Sequence, residues 1–125
     1  VSKRFIGVVA ASVLALSGAV AVAPAADASV TTAIMYTDWH YQGWSTGTSG
    51  GVDCDSAGYH YSWGHSSTLG ATSSVGSYWN APHCNTVKMF TTYGGQVVCY
   101  LPCSYVGDAA NDQIIAVDVY RRSGT

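Results

Sequence analysis

The chain has 125 residues, of which 48% are hydrophobic, 12% aromatic and only 10% charged. That length suits one domain and excludes a scaffold of about 250 residues such as a (β/α) barrel. Seven acidic residues, all Asp, face five basic ones, and a net charge of −2 leaves no basic excess to neutralise the phosphates of a nucleic acid.

The first 28 residues read as an export leader. Lys3 and Arg4 open it, an apolar stretch runs from Phe5 to Ala23, and Ala26-Asp27-Ala28 places small residues at −3 and −1 of a cleavage site. A stretch of this length could just cross a bilayer. Its position, its Ala and Gly content and its Ala-x-Ala ending favour a cleaved signal instead. Cleavage before Ser29 removes Lys3, Arg4 and Asp27, so the mature chain carries a net charge of −3 and no second apolar run. The expected product is a secreted, monomeric domain over 29–125 that is not held to a membrane. A domain of this size buries only about 60–65% of its unfolded surface, so the disulfides that export permits are useful staples.

The mature chain reads as short strands between turns. No window offers a sustained 3.6-residue apolar repeat, and glycines or small polar residues interrupt the chain every few positions. In chain order, strands are expected at Thr32 to Tyr36, Tyr59 to Trp63, Val87 to Phe90, Gln96 to Tyr100 and Ile114 to Tyr120. Together they are rich in the Val, Ile, Tyr and Trp that fit a pleated, half-buried surface. Asp118 and Tyr120 alternate with Val117 and Val119, which gives the last strand one buried face. Thr46 to Asp55, with its Gly50-Gly51 pair, reads as a flexible exposed loop. Several short strands and no helix define an all-β sandwich or barrel.

A faint internal repeat divides the chain into halves of about 30–84 and 85–125. AIMYTDWHYQGWS (Ala33 to Ser45) opens the first and VKMFTTYGG (Val87 to Gly95) the second. Each is an apolar strand ending in an aromatic, then a short loop, then Tyr with Gly close behind. TSSVGSYW (Thr72 to Trp79) and NDQIIAVDVY (Asn111 to Tyr120) are later polar stretches leading into another strand.

Tyr36-(x)4-Tyr41-Gln42-Gly43-Trp44-Ser45 resembles the βγ-crystallin Greek-key signature of aromatic, four residues, aromatic, x, Gly, x, Ser. In the second half, Phe90-Thr91-Thr92-Tyr93-Gly94-Gly95 has two intervening residues instead of four. The resemblance implies two Greek-key motifs forming a βγ-crystallin-like β-sandwich. Gly43 would adopt positive φ in a folded hairpin, Tyr36 and Tyr41 would pack over that turn, and Ser45 would bind backbone groups across the sheet. Small exported bacterial members of this superfamily include metalloproteinase inhibitors and killer-toxin-like proteins. The resemblance therefore implies a non-enzymatic binding protein, with an extracellular protease or cell-wall component as partner. A calcium-binding structural or stress module of the same fold is the alternative.

No cofactor is required on this reading, and calcium is the ion the resemblance implies. Asn111 and Asp112 match the acidic pair of the family's calcium stretch, but Ile115 and Ala116 stand where hydroxyl ligands belong. The first stretch has Thr72 and Ser73 for the acidic pair and Gly76 for a hydroxyl, and retains Ser77. An ion that takes six to eight oxygens finds both sets depleted.

Other chemistry is weakly signalled. Gly43-Trp44-Ser45-Thr46-Gly47 spells G-x-S-x-G, but a serine hydrolase needs that motif on a strand–turn–helix of a parallel sheet. His40, His60, His65 and His83 contain no His-x-x-x-His pair, and no Glu exists to serve as a base. The Asp residues show no spacing that singles out a pair for glycoside cleavage. Cys54, Cys84, Cys99 and Cys103 include no Cys-x-x-Cys and allow three disulfide pairings. The favoured one is Cys54 with Cys84 and Cys99 with Cys103. The second bridge needs a turn at Leu101-Pro102, since residues four apart on a straight strand lie about 13 Å from each other.

Aromatic residues crowd the first half, which holds all four Trp; they divide between core and a binding face for protein or sugar. Trp39 and Trp44 bracket a turn, and Tyr59 and Tyr61 share one face of a strand. The expected contact segment is Tyr100 to Gly107, stiffened by Pro102 and closed by the Cys99–Cys103 bridge, with Tyr100, Leu101 and Tyr105 as anchors.

Overall fold

The computed structural model describes residues 29–63 and 70–125, so the expected leader and His65 lie outside the described residues. Seven strands run in order: β1 (Val30–Asp38), β2 (Gln42–Gly50), β3 (Tyr59–Ser62), β4 (Ser74–Gly76), β5 (Thr86–Thr91), β6 (Gln96–Tyr100) and β7 (Ile114–Tyr120). A three-residue 3-10 turn, Trp39–Tyr41, joins β1 to β2, and it is the only helical element among the described residues. The strands form a three-stranded sheet, β2-β1-β4, and a four-stranded sheet, β3-β7-β5-β6, with antiparallel neighbours throughout. The expected all-β architecture is therefore the observed one.

The pleat explains the core. β5 and β7 pair Val87 with Val119 and Met89 with Val117, four fully buried side chains on one face. The intervening pair, Lys88 and Asp118, turns to the other face. Ala33 and Met35 of β1 and Val75 of β4 join the same cluster from the smaller sheet. Where that sheet presents hydroxyls instead, they are paired. Thr32 Oγ1 lies 2.8 Å from both Thr48 Oγ1 and Tyr61 Oη, and the Tyr61 hydroxyl donates to Ser49 O at 2.7 Å. Burial pushes the Tyr61 phenol above its ordinary pKa, although its hydrogen bonds to Thr32 and Thr48 pull the other way.

The two halves exchange segments. β3 follows the first two strands in sequence yet pairs with β7 in the four-stranded sheet, Tyr59 opposite Val119 and Tyr61 opposite Val117. In return, Cys103 exchanges two backbone hydrogen bonds with Val75 (2.9 and 2.8 Å), and Val106 N–H reaches Ser73 O at 2.9 Å. Each sheet is thus completed along one edge by chain from the other half.

Two strands escape the sequence expectations, and both belong to the smaller sheet. β4 is three residues long and fully buried. β2 carries Gly, Ser and Thr with almost no apolar residue, and it is a strand because β1 pairs with it from Val30↔Gly50 to Asp38↔Gln42. The expected loop at Thr46 to Asp55 is corrected accordingly, since its first five residues finish β2. Gly50 is there for close approach rather than freedom. A Cβ at Gly50 would lie 2.3 Å from the Tyr59 ring. The Tyr59 hydroxyl then clamps the following turn, accepting from Val52 N–H (3.0 Å) and donating to Val52 O (2.7 Å).

Both expected disulfides form, Cys54–Cys84 with Cα atoms 4.9 Å apart and Cys99–Cys103 with 6.0 Å. The Leu101–Pro102 peptide between the second pair is cis. In the chain-entropy account the longer loop contributes more: about 4 kcal/mol for Cys54–Cys84 and about 2 kcal/mol for Cys99–Cys103. Urea unfolding of the Cys54→Ser/Cys84→Ser and Cys99→Ser/Cys103→Ser variants should show the first pair losing the larger stability.

Gly43 takes φ +81°, and a Cβ there would fall 2.4 Å from Thr37 Oγ1 and 2.8 Å from Asp38 Oδ2. Gly43→Ala combines a disfavoured backbone with a clash, so it should cost about 2–3 kcal/mol in chemical denaturation.

Candidate binding site

The folded turn between β1 and β2 builds the site. His40 and Tyr41 both adopt left-handed backbone conformations (φ 53° and 63°), which side-chain-bearing residues rarely hold without support. Support comes from far along the chain. His40 N–H donates to Ser104 O at 2.9 Å. Tyr41 N–H donates to Ser74 Oγ at 2.9 Å, and the buried Ser74 hydroxyl donates to Asp38 O at 2.6 Å. Tyr36 and Tyr41 meet edge to face, 5.8 Å between centroids at 72°, as the motif implies. Ser45, assigned the bond across the sheet, instead lies exposed on the β2 edge; the hydroxyl that locks the turn is that of Ser74.

This turn projects Trp39, which is 56% exposed. Its ring packs on Tyr105 with centroids 4.8 Å apart. The Tyr105 hydroxyl donates to Asp108 Oδ1, and this bond to a carboxylate, with a smaller contribution from burial, raises the phenol pKa. Tyr93, also exposed, donates its hydroxyl to the neighbouring Ala109 O. Trp39 and Tyr105 therefore form an aromatic strip beside the 104–109 segment, to which Tyr93 is tied only through Ala109 O.

The structure divides the three expected anchors. Tyr105 joins this strip. Leu101 packs partly buried against the core. Tyr100 projects from β6 and carries the Arg122 guanidinium over its ring at 4.0 Å. The sequence pattern that singled out Tyr105 could not supply Trp39 as its partner, because 66 positions separate them. The aromatic residues of the first half divide in the same way. Tyr59 and Tyr61 stack with centroids 6.3 Å apart and are held by hydrogen bonds, whereas Trp44 and Trp79 are each 81% exposed.

Asn111 and Asp112 do come beside the equivalent stretch of the first half, since the Ser73 hydroxyl donates to Asn111 Oδ1. That contact occupies the side-chain oxygen which the resemblance assigns to calcium. Ala116 is buried and Ile115 half-buried where hydroxyl ligands would stand. The residues present do not fit a calcium ion that takes six to eight oxygens. Among the described residues no three His, Cys, Asp or Glu side chains cluster as a metal site.

The G-x-S-x-G segment lies on the antiparallel β2, away from any strand–turn–helix. His60 and His83 are each paired with a carboxylate, Asp118 at 2.5 Å and Asp53 at 2.7 Å. The second pair flanks the Cys54–Cys84 bridge. Asp53 Oδ1 accepts from Cys54 N–H (2.8 Å) and His83 N–H (3.0 Å), while Oδ2 meets His83 Nδ1.

No family model and no curated protein matches this sequence. Solved structures do resemble it. A βγ-crystallin domain from Clostridium beijerinckii is 20% identical, covers 70% of this chain and 95% of its own, and superposes with a TM-score of 0.48. A double mutant of that kind of domain from the same organism is 21% identical over 70% of this chain and 94% of its own, with a TM-score of 0.49. A clostrillin double mutant in complex with nickel gives 18% identity, 70% and 95% coverage, and a TM-score of 0.49.

The Asp53 brace has a pH signature. Desolvation raises the Asp53 pKa, but the His83 ring and the Cys54 and His83 N–H groups together outweigh it, and the net value lies below the ordinary 3.8. A depressed folded-state pKa contributes stability that is present above the unfolded value and is lost as pH falls through the folded one. Acid unfolding should therefore show this contribution disappearing below about pH 3.8. Asp53→Asn should lower stability at pH 7 and flatten that limb of the acid profile.

Proposed function

We propose that this chain is a secreted, non-enzymatic binding protein that docks an extracellular protein through the Trp39–Tyr105 platform. A secreted peptidase is the partner class that its sequence resemblance to small exported βγ-crystallin-like inhibitors implies. The observation that carries the reading is the pre-ordering of the platform. Trp39 stands on a turn whose strained residues are bonded to Ser74 and Ser104, and Tyr105 stands two residues beyond a disulfide. Both rings are fixed before any partner arrives, so docking loses little conformational freedom. An exposed Trp beside a half-buried Tyr on a rigid base also supplies the residue types that dominate protein interfaces. Two disulfides and the expected leader support an oxidising, extracellular setting.

The test is a panel of secreted peptidases assayed for inhibition and complex formation. A partner is expected, and Trp39→Ala and Tyr105→Ala should each weaken its binding by tenfold or more, in the range of about 2 kcal/mol expected for a hot-spot aromatic. Leu101→Ala should act through stability instead. A partner bound with unchanged affinity by both platform variants places the contact elsewhere. If isolated cell wall retains the protein and no peptidase is inhibited, the inhibitor reading is rejected.

A further inference from the structure

The tail after β7 and the turn after Cys54 enclose an open pocket of about 360 Å³. Its walls are anchored by the Cys54–Cys84 bridge, because Asp55 and Asn85 directly follow the two half-cystines. Asp55 O accepts Arg121 N–H at 2.9 Å, and Asn85 Oδ1 accepts Arg122 N–H at 2.9 Å. Asn85 Nδ2 donates to Thr125 Oγ1 at 2.8 Å, so the tail is held in a return.

Arg121 and Arg122 line the pocket together with Ser56 and Ser123. Lys88 is the only other basic residue in 29–125, so most of the positive charge of an acidic domain is gathered here. Among the described residues, neither guanidinium is ion-paired with a side-chain carboxylate. Arg121 uses one N–H, at Nε, on Thr125 O (2.5 Å), and Arg122 lies with its guanidinium over the Tyr100 ring. A guanidinium offers five donors in a planar fork, so most of them stay available. The acidic wall residue, Asp55, turns Oδ1 to the N–H groups of Ala57 (3.0 Å) and Gly58 (2.8 Å).

We propose that this pocket binds an oxyanion, a phosphate or a carboxylate, gripped by the two guanidinium forks and the Ser56 and Ser123 hydroxyls. Planar forks match both groups in geometry as well as charge, and a pocket already ordered by a disulfide needs little rearrangement to take them. The site is separate from the Trp39–Tyr105 platform and does not depend on its role.

The full chain is titrated with inorganic phosphate and, separately, with acetate, at ionic strength held constant with sodium chloride. Backbone amide shifts and Tm are followed together. Saturable shifts confined to residues 55–56 and 121–125 are expected, with a Tm rise of about 4 °C or more at saturation. Arg121→Gln/Arg122→Gln should weaken binding at least tenfold. Arg122→Gln alone, which removes only a surface contact with Tyr100, provides the same comparison if the double variant does not fold. Response to phosphate alone assigns the site to phosphate groups, and response to acetate alone to carboxylates. Absence of saturable shifts with either anion, or affinity unchanged by the Arg variants, overturns the proposal.

Discussion

The buried hydroxyl of Ser74 is the point on which the rest of the structure depends. It donates to Asp38 O and accepts Tyr41 N–H, so one small side chain holds both ends of a turn containing two left-handed residues. Each such residue costs about 1–3 kcal/mol where nothing enforces it. Ser74 can enforce it because β4 is itself paired to β1, Ser74 opposite Tyr36. The turn, the Tyr36–Tyr41 corner and the exposed Trp39 are consequences of that registration. A local motif therefore depends on a strand thirty-odd residues away.

The fold was legible in the sequence wherever one face of a strand is buried. Val87, Met89, Val117 and Val119 carry the alternation in their own letters, and the strands that hold them lie where the pattern places them. β2 was not legible, because Gly, Ser and Thr on an edge bury nothing; its geometry is imposed by β1. Gly50-Gly51 misleads for a related reason. A glycine read as freedom is in fact a space for the Tyr59 ring, and only the crossing of β3 puts that ring there.

The candidate sites show the same division. Tyr105 could be singled out from its neighbours Pro102 and Cys103, but its partner Trp39 is brought by the His40–Ser104 bond, which has no local signature. Arg121 and Arg122 look like an ordinary polar tail in sequence. Their gathering with Ser56 follows from a disulfide that ties residues 30 positions apart. Ser73 and Asn111 meet as hydrogen-bond partners of each other. Ile115 and Ala116, which follow in the same stretch, offer no side-chain oxygen.

The exchange of edge segments also sets the order in which the molecule can be completed. His60 on β3 faces Asp118 on β7, 58 positions later, so β3 has no strand partner until nearly the whole chain has been synthesised. Pairings this distant form slowly, because a long loop must close before any contact rewards it. Until then Tyr59 and Tyr61 are tied only to their own half, through Val52, Ser49 and Thr32. Cys54 and Cys84 both precede β7, and a bridge made between them early would shorten the search that β3 and β7 still have to make. The oxidation state met by the emerging chain thus bears on how fast it folds as well as on how stable it becomes.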